Sequence, residues 1–231
     1  MREKAGRAGG RADRILDAAG GLLVRHGYRK VTVEDVARET GIGKGTVYLH
    51  WRTKQQLFEA VLLRESIAYL EELLDELRRD PRTLLPHRLV SSTFLAVARR
   101  PVLGAMVAGF TEGTHATRAD ASLRGHELLI AERFHDLMTR HGLFRADVPN
   151  PAFTFGAVTT GFHVHRSEEP MDAAARAESL AHVVRHALEP AVPPGDRELA
   201  DATSEMIAII EDLIPPFRKW IYAYERPDEP G

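Results

Sequence analysis

Apolar residues recur along this chain at intervals of three and four, the spacing that lines one face of an α-helix, and nowhere do they alternate as strands require. Ile15, Leu16, Ala19, Leu22, Leu23 and His26 share one face of a first helix, and Gly27 can end it as a left-handed cap. Thr32 then offers an N-cap oxygen, with Asp35 three residues on, where a capping box prefers Glu or Gln. Val33, Val36 and Ala37 face inward in a short second helix closed by Gly41, and a third short helix starts about Lys44 and ends near Trp51. Thr53-Lys54-Gln55-Gln56 is a fuller capping box. It opens a long helix, through about Arg79, whose stripe includes Leu57, Phe58, Val61 and Leu62. Prolines and glycines divide the remainder into helices near 83–99, 102–112, 119–141, 150–166, 172–188 and 196–213, with a short segment near 216–224. The pattern predicts an all-α protein.

Two short helices hinged at Gly41, with the small Ala37 where they approach closely, make a helix-turn-helix. The second is the candidate reader. Val47 and Trp51 return to the core at a spacing of four and leave Lys44, Thr46, Tyr48 and His50 outward, with the helix dipole favouring phosphate oxygens at its start. Gly41-Ile-Gly-Lys-Gly-Thr46 has a superficial likeness to a phosphate loop. That motif wants Ser or Thr after its lysine and glycine at its start; the chain has Gly45 and Arg38 there, and no buried strand precedes them.

With 231 residues, 44% hydrophobic and 28% charged, the chain has apolar material for a sizeable core and is neither disordered nor collagen-like. The absence of cysteine excludes disulfides, thiolate metal sites and cysteine nucleophiles. No run approaches about 18 apolar residues, and the basic first ten residues lead into no apolar stretch, so a soluble cytoplasmic protein is expected. The net charge of −2 conceals an asymmetry. Residues 1–54 hold 12 Lys and Arg against 6 Asp and Glu, a net +6, and the remainder holds 19 against 27, a net −8. A basic segment on an acidic body suggests a polyanion-binding module attached to something that need not touch the polyanion.

From Ile15 to Val61 the chain resembles the tetracycline-repressor (TetR) family in the phrases Arg14-Ile-Leu-Asp-Ala-Ala19, His26-Gly-Tyr28, Thr32-Val-Glu-Asp-Val-Ala37, Gly43-Lys-Gly-Thr-Val-Tyr48 and Lys54-Gln-Gln-Leu-Phe58. The resemblance implies an all-helical homodimeric repressor, neither an enzyme nor dependent on a cofactor. An N-terminal three-helix helix-turn-helix domain would be followed by a helical ligand-binding and dimerisation domain. In this chain the expected bounds are a flexible basic arm over 1–12, a DNA-binding domain over 13–53, an effector and dimerisation domain over 54–224 and a disordered tail over 225–231. By position, the family pattern assigns base or backbone contact to Lys44, Thr46, Tyr48 and His50 and phosphate contact to Thr32 and Lys54, with Gly45 on the same surface. Tyr48 and His50 fit equally as half-buried packing residues, and Arg2, Lys4, Arg7 and Arg11 either reach a minor groove or stay free. Departures are Trp51 for the usual Phe, Gly43 for a frequent Ser cap, and Gly20-Gly21 in mid-helix, at about 1 kcal/mol each, which suggest a softer first helix.

Past residue 60 the resemblance fades. The 150–166 helix is apolar or small on two faces, one with Phe153, Ala157, Thr160, Gly161 and Val164, the other with Phe155, Val158, Thr159 and Phe162. The small face suits a close helix contact. With the next helix, whose stripe includes Leu180 and Val184, it would form a four-helix interface between two copies. Phe94, Met106, Phe110 and Phe134 are candidate pocket residues, with Met138, Phe155, Thr159 and Phe162 beside them; each also fits plain core. Their character favours a flat or apolar effector. An alternative reading is a helical metal-binding protein or enzyme built on His163, His165, His182 and His186, although Glu178, Arg185 and Glu189 make that surface look solvated.

Overall fold

The structure, a computed structural model, describes residues 2–105, 132–165 and 171–222, with only the backbone described over 2–9. The helices are α1 (Arg2–Lys30), α2 (Val33–Thr40), α3 (Lys44–His50), α4 (Lys54–Arg79), α5 (Pro86–Arg99), α6 (Pro151–Val164), α7 (Ala173–Leu188) and α8 (Asp196–Ile221), with a 3₁₀ turn at Pro81–Leu84. Residues 101–105 and 132–140 are also helical. No strand occurs among the described residues. The stretch expected as a flexible arm is helical in its backbone and continuous with α1. Gly27 interrupts α1 with φ 75° and ψ 157°, a conformation that an L side chain rarely adopts.

The described residues form two compact units, one holding residues up to 68 with 101–105 and 214–222, the other 69–100, 132–165 and 171–213. In the first, the core is the predicted one: Ile15, Leu16 and Leu23 from α1, Val36 and Val47 from the helix-turn-helix, and Leu57, Phe58 and Val61 from α4. His26, placed on the same stripe of α1, is exposed instead, because it lies one residue before the break at Gly27. Gly20 lies where α1 passes α4 and the 101–105 turn. A methyl there would touch Val102 at 3.4 Å and Val61 at 3.6 Å.

In the second unit α7 packs along α5, pressing Ala177, Leu180, Val184 and Leu188 against a face that includes Leu89, Val90 and Phe94. Leu180 and Val184, expected at a dimer interface, are therefore core residues of their own chain, both at 0% exposure. Their stripe follows helical spacing toward the nearest apolar neighbour, and α5 is that neighbour. The charged shell is tied by Arg99 and Arg100 on Glu72, and by Arg140 and His141 on Glu205, whose carboxyl those two partners hold down to about 2.

Helix α8 departs from the sequence expectation of two segments. It runs unbroken through Pro215 and Pro216, which lack the N–H that would serve the carbonyls of Glu211 and Asp212. Burial of Ile214, Phe217 and Ile221 at helical spacing sustains it beyond the prolines. Both α4 and α8 have residues in each unit.

Candidate nucleic-acid interface

The helix-turn-helix is assembled by three local devices. Thr32 caps α2: its hydroxyl oxygen accepts from the Asp35 amide at 3.2 Å, while the Asp35 carboxylate accepts from the Thr32 amide at 2.9 Å. Hydrogen bonding by Thr32, through side chain and backbone, holds the Asp35 carboxyl below its usual range. Gly41, at φ 67° and ψ 27°, ends α2 in the left-handed region, with its amide on the Arg38 carbonyl and the Ile42 amide on that of Ala37. Val47 and Trp51, each 1% exposed, then pin one side of α3. The start of α4 is fixed by Thr53, which accepts from the Gln56 amide at 3.1 Å, while the Gln56 side chain reaches back to the Arg52 amide at 2.9 Å.

What α3 presents outward is Lys44, Gly45, Tyr48 and Leu49, with Thr46 and His50 half-buried at the edges. His50 has its ring 5.4 Å from that of Trp51, which favours packing over reading for this residue. The Lys44 ammonium pairs with Glu34 and lies 5.6 Å from the Tyr48 ring; Glu34 raises its pKa. Lys54, expected on phosphate, is turned inward: it donates to the Tyr28 carbonyl and sits 4.3 Å above the Tyr28 ring, and burial lowers its pKa. Thr32 likewise spends its hydroxyl on the cap.

Sequence reasoning missed four residues on this surface. Leu49 is 57% exposed, and an apolar side chain so placed can read a thymine methyl. Arg29, Lys30 and Arg52 are exposed and make no ion pair among the described residues, whereas Arg25, Arg38 and Lys44 are partnered by Glu39, Asp35 and Glu34. Their lack of an acidic residue at a pairing distance is visible only in three dimensions. Arg11 is exposed on α1, and the side chains of Arg2, Lys4 and Arg7 lie outside the described residues.

Residues 15–61 match the model of bacterial regulatory proteins of the tetR family. That match spans the helix-turn-helix and the start of α4, so the likeness to the tetR family is carried by this segment. Over 70 residues it is 37% identical to the uncharacterized HTH-type transcriptional regulator YvkB of Bacillus subtilis, covering 29% of this chain and 37% of that protein. Over 81 residues it is 30% identical to the probable acrEF/envCD operon repressor of Escherichia coli K12, covering 33% and 36%. These matches thus span little more than a third of the curated relatives. The structure of the ketosteroid transcriptional regulator KstR2 of Mycobacterium tuberculosis shares the fold, with a TM-score of 0.55 over 78% of this chain and 95% of that one, at 17% identity. The matched residues are those that build α1 to α3 and the start of α4.

Of the residues expected to line an effector pocket, Phe134, Phe155 and Thr159 lie in one aromatic group and Phe94 in another. Phe155 meets Phe134 at 5.7 Å and Phe144 at 5.5 Å, with His135 close by and Thr159 donating to the Phe155 carbonyl at 2.7 Å. Separately, Phe94 stacks on His163 at 4.8 Å, with the Arg176 guanidinium 5.2 Å from the Phe94 ring. Burial, then Arg176, lowers the His163 pKa. Met138 is wholly buried, Phe162 is half-buried, and Met106 and Phe110 lie outside the described residues. Phe144 was not foreseen because it sits in a turn, where helical spacing gives no signal. The four histidines are not gathered: His163 belongs to Phe94, His165 is exposed, and His182 and His186 stack on each other at 4.2 Å on the open side of α7. Among the described residues no group of three or more His, Asp or Glu could hold a metal ion. No described helix is long and apolar enough to cross a membrane.

Proposed function

We propose that the protein is a ligand-responsive transcriptional repressor that binds an inverted-repeat operator as a homodimer and is released by a small, apolar or aromatic effector. The observation that carries this reading is α3, held from behind by Val47 and Trp51 and presenting Lys44, Tyr48 and Leu49 on a basic segment. Dimerisation through α6 is supported by its lack of any buried residue, by the 77% exposure of Phe153, and by the open faces of Ala157, Thr160 and Gly161. The clustered aromatic rings at Phe155 and at Phe94 support an apolar or aromatic effector. Such a ligand releases DNA only by binding the non-binding arrangement more tightly, and α4, with residues in both units, is the element proposed to carry the change.

The test is a titration of a duplex selected by the protein from random sequence against a scrambled duplex, at several salt concentrations. Specific binding should exceed non-specific binding by at least about a thousandfold and weaken steeply with salt. Equal affinity for both duplexes at physiological salt would remove the operator-binding reading.

A further inference from the structure

Helix α3 is two turns long, and Gly43 at its N-cap has no side chain to hold that end. Its other end is held from far away in sequence. Trp51, the C-cap residue, directs its indole N–H to the main-chain carbonyl of Ile221 at 3.0 Å. Ile221 is the last residue of α8, where helix carbonyls have no donor of their own helix, so the contact satisfies a terminal carbonyl and a buried indole together. Around it the C-terminal stretch is built in: Ile214, Phe217 and Ile221 are 9%, 7% and 3% exposed, within the same compact unit as α1, α2 and α3. One residue on, the Tyr222 hydroxyl donates to the Asp13 carboxylate of α1 at 2.7 Å. Helix ends without such ties fray.

We infer that the last turns of α8 brace the reader helix, with Trp51 as a positioning residue whose hydrogen bond to Ile221 fixes the C-terminal end of α3. The brace is independent of what α3 reads; its consequence for DNA rests on α3 being the reader. Orientation of Lys44, Tyr48 and Leu49 then depends on a residue 170 positions away.

Hydrogen exchange on the full chain, without DNA, tests the brace. Trp51→Phe keeps an aromatic ring and removes the donor. Amides of α3 should exchange about five to ten times faster, while those of Ile15–Leu23 in α1 keep their protection. A Trp51 that merely fills space predicts the same factor throughout the unit; that result, or unchanged α3 exchange, overturns the brace. Should this variant fail to fold, Tyr222→Phe leaves Trp51 in place and releases the end of α8 from Asp13. Faster exchange over 217–221 should then be accompanied by a smaller acceleration in α3, and a loosened 217–221 beside an unaltered α3 overturns it equally. Finally, Trp51→Phe should weaken binding to a duplex selected by the wild type by a factor similar to that seen in exchange. Undiminished binding by a variant with a loosened α3 would break the link to reading. If the wild type selects no duplex at all, the operator reading fails, and exchange alone judges the brace.

Discussion

The helix-turn-helix and α6 dispose of apolar surface in opposite ways. In α2, short and half charged, Val33, Val36 and Ala37 are all buried by α1 and α3 of the same chain. Helix α6, from Pro151 to Val164, is apolar over most of its length and buries no residue. Apolarity in a sequence measures a demand for burial; whether the same chain or a second copy meets it depends on what folds against it.

The sharpest contrast comes from two truncations. Leu16→Ala, in the core of the first unit, should cost about 2–5 kcal/mol in urea denaturation. Phe153→Ala should leave that chain stability within about 0.5 kcal/mol, yet weaken self-association in sedimentation. Equal losses of stability from both would mean that α6 is packed by its own chain.

Enlarging the small face of α6 probes the same point without removing anything. A Cβ at Gly161 meets no atom within 4 Å in the single chain, so Gly161→Leu should fold normally. The dimer should nonetheless lose about 1–3 kcal/mol by overpacking. A dimer of undiminished affinity places the interface elsewhere.

On the exposed face of the first unit the comparison is between reading and holding. Lys44→Ala should alter base preference, worth about 1–3 kcal/mol at one position, while Arg52→Ala should weaken binding evenly across sequences and reduce the salt slope by about 1. A selection experiment in which both variants return the wild-type motif would show that the register of α3 is wrong.

Smaller effects are expected inside each unit. Gly20→Ala should raise the stability of the first unit by about 0.5–1 kcal/mol, because alanine favours the helix and its methyl meets Val102 and Val61 at contact distance. In the second, the His163 pKa is lowered in the folded chain by burial and Arg176. The unfolded chain therefore binds the proton more readily. The stability from its neutral ring is complete above the ordinary histidine pKa of about 6.5 and diminishes as pH falls below it. His163→Phe should remove that part of the acid dependence in denaturation curves between pH 7.5 and 5; an unaltered dependence would discount the stacked pair.

Local chemistry made the first unit legible. Thr32, Asp35 and Gly41 mark their own helix ends because the caps they form involve neighbours three to five residues away, and Val47 and Trp51 reveal their inward side by spacing alone. Lys54 was misplaced for the opposite reason: its partner, the Tyr28 carbonyl, lies 26 residues back, and burial is a property of position in space. Leu180 and Val184 show the same limit, since their stripe was readable but α5 as its occupant was not.

By itself the sequence determined the helical architecture, the helix-turn-helix and the sign of charge around it, because period, caps and composition act over a few residues. Only the tertiary structure decided which cations of that segment remain unpaired among the described residues, which apolar stripes the chain covers for itself, and that Pro215 and Pro216 lie within a helix whose end reaches Trp51. Each of those outcomes depends on partners brought together from distant parts of the chain, whose packing outweighs the local preference of a proline or a lone lysine.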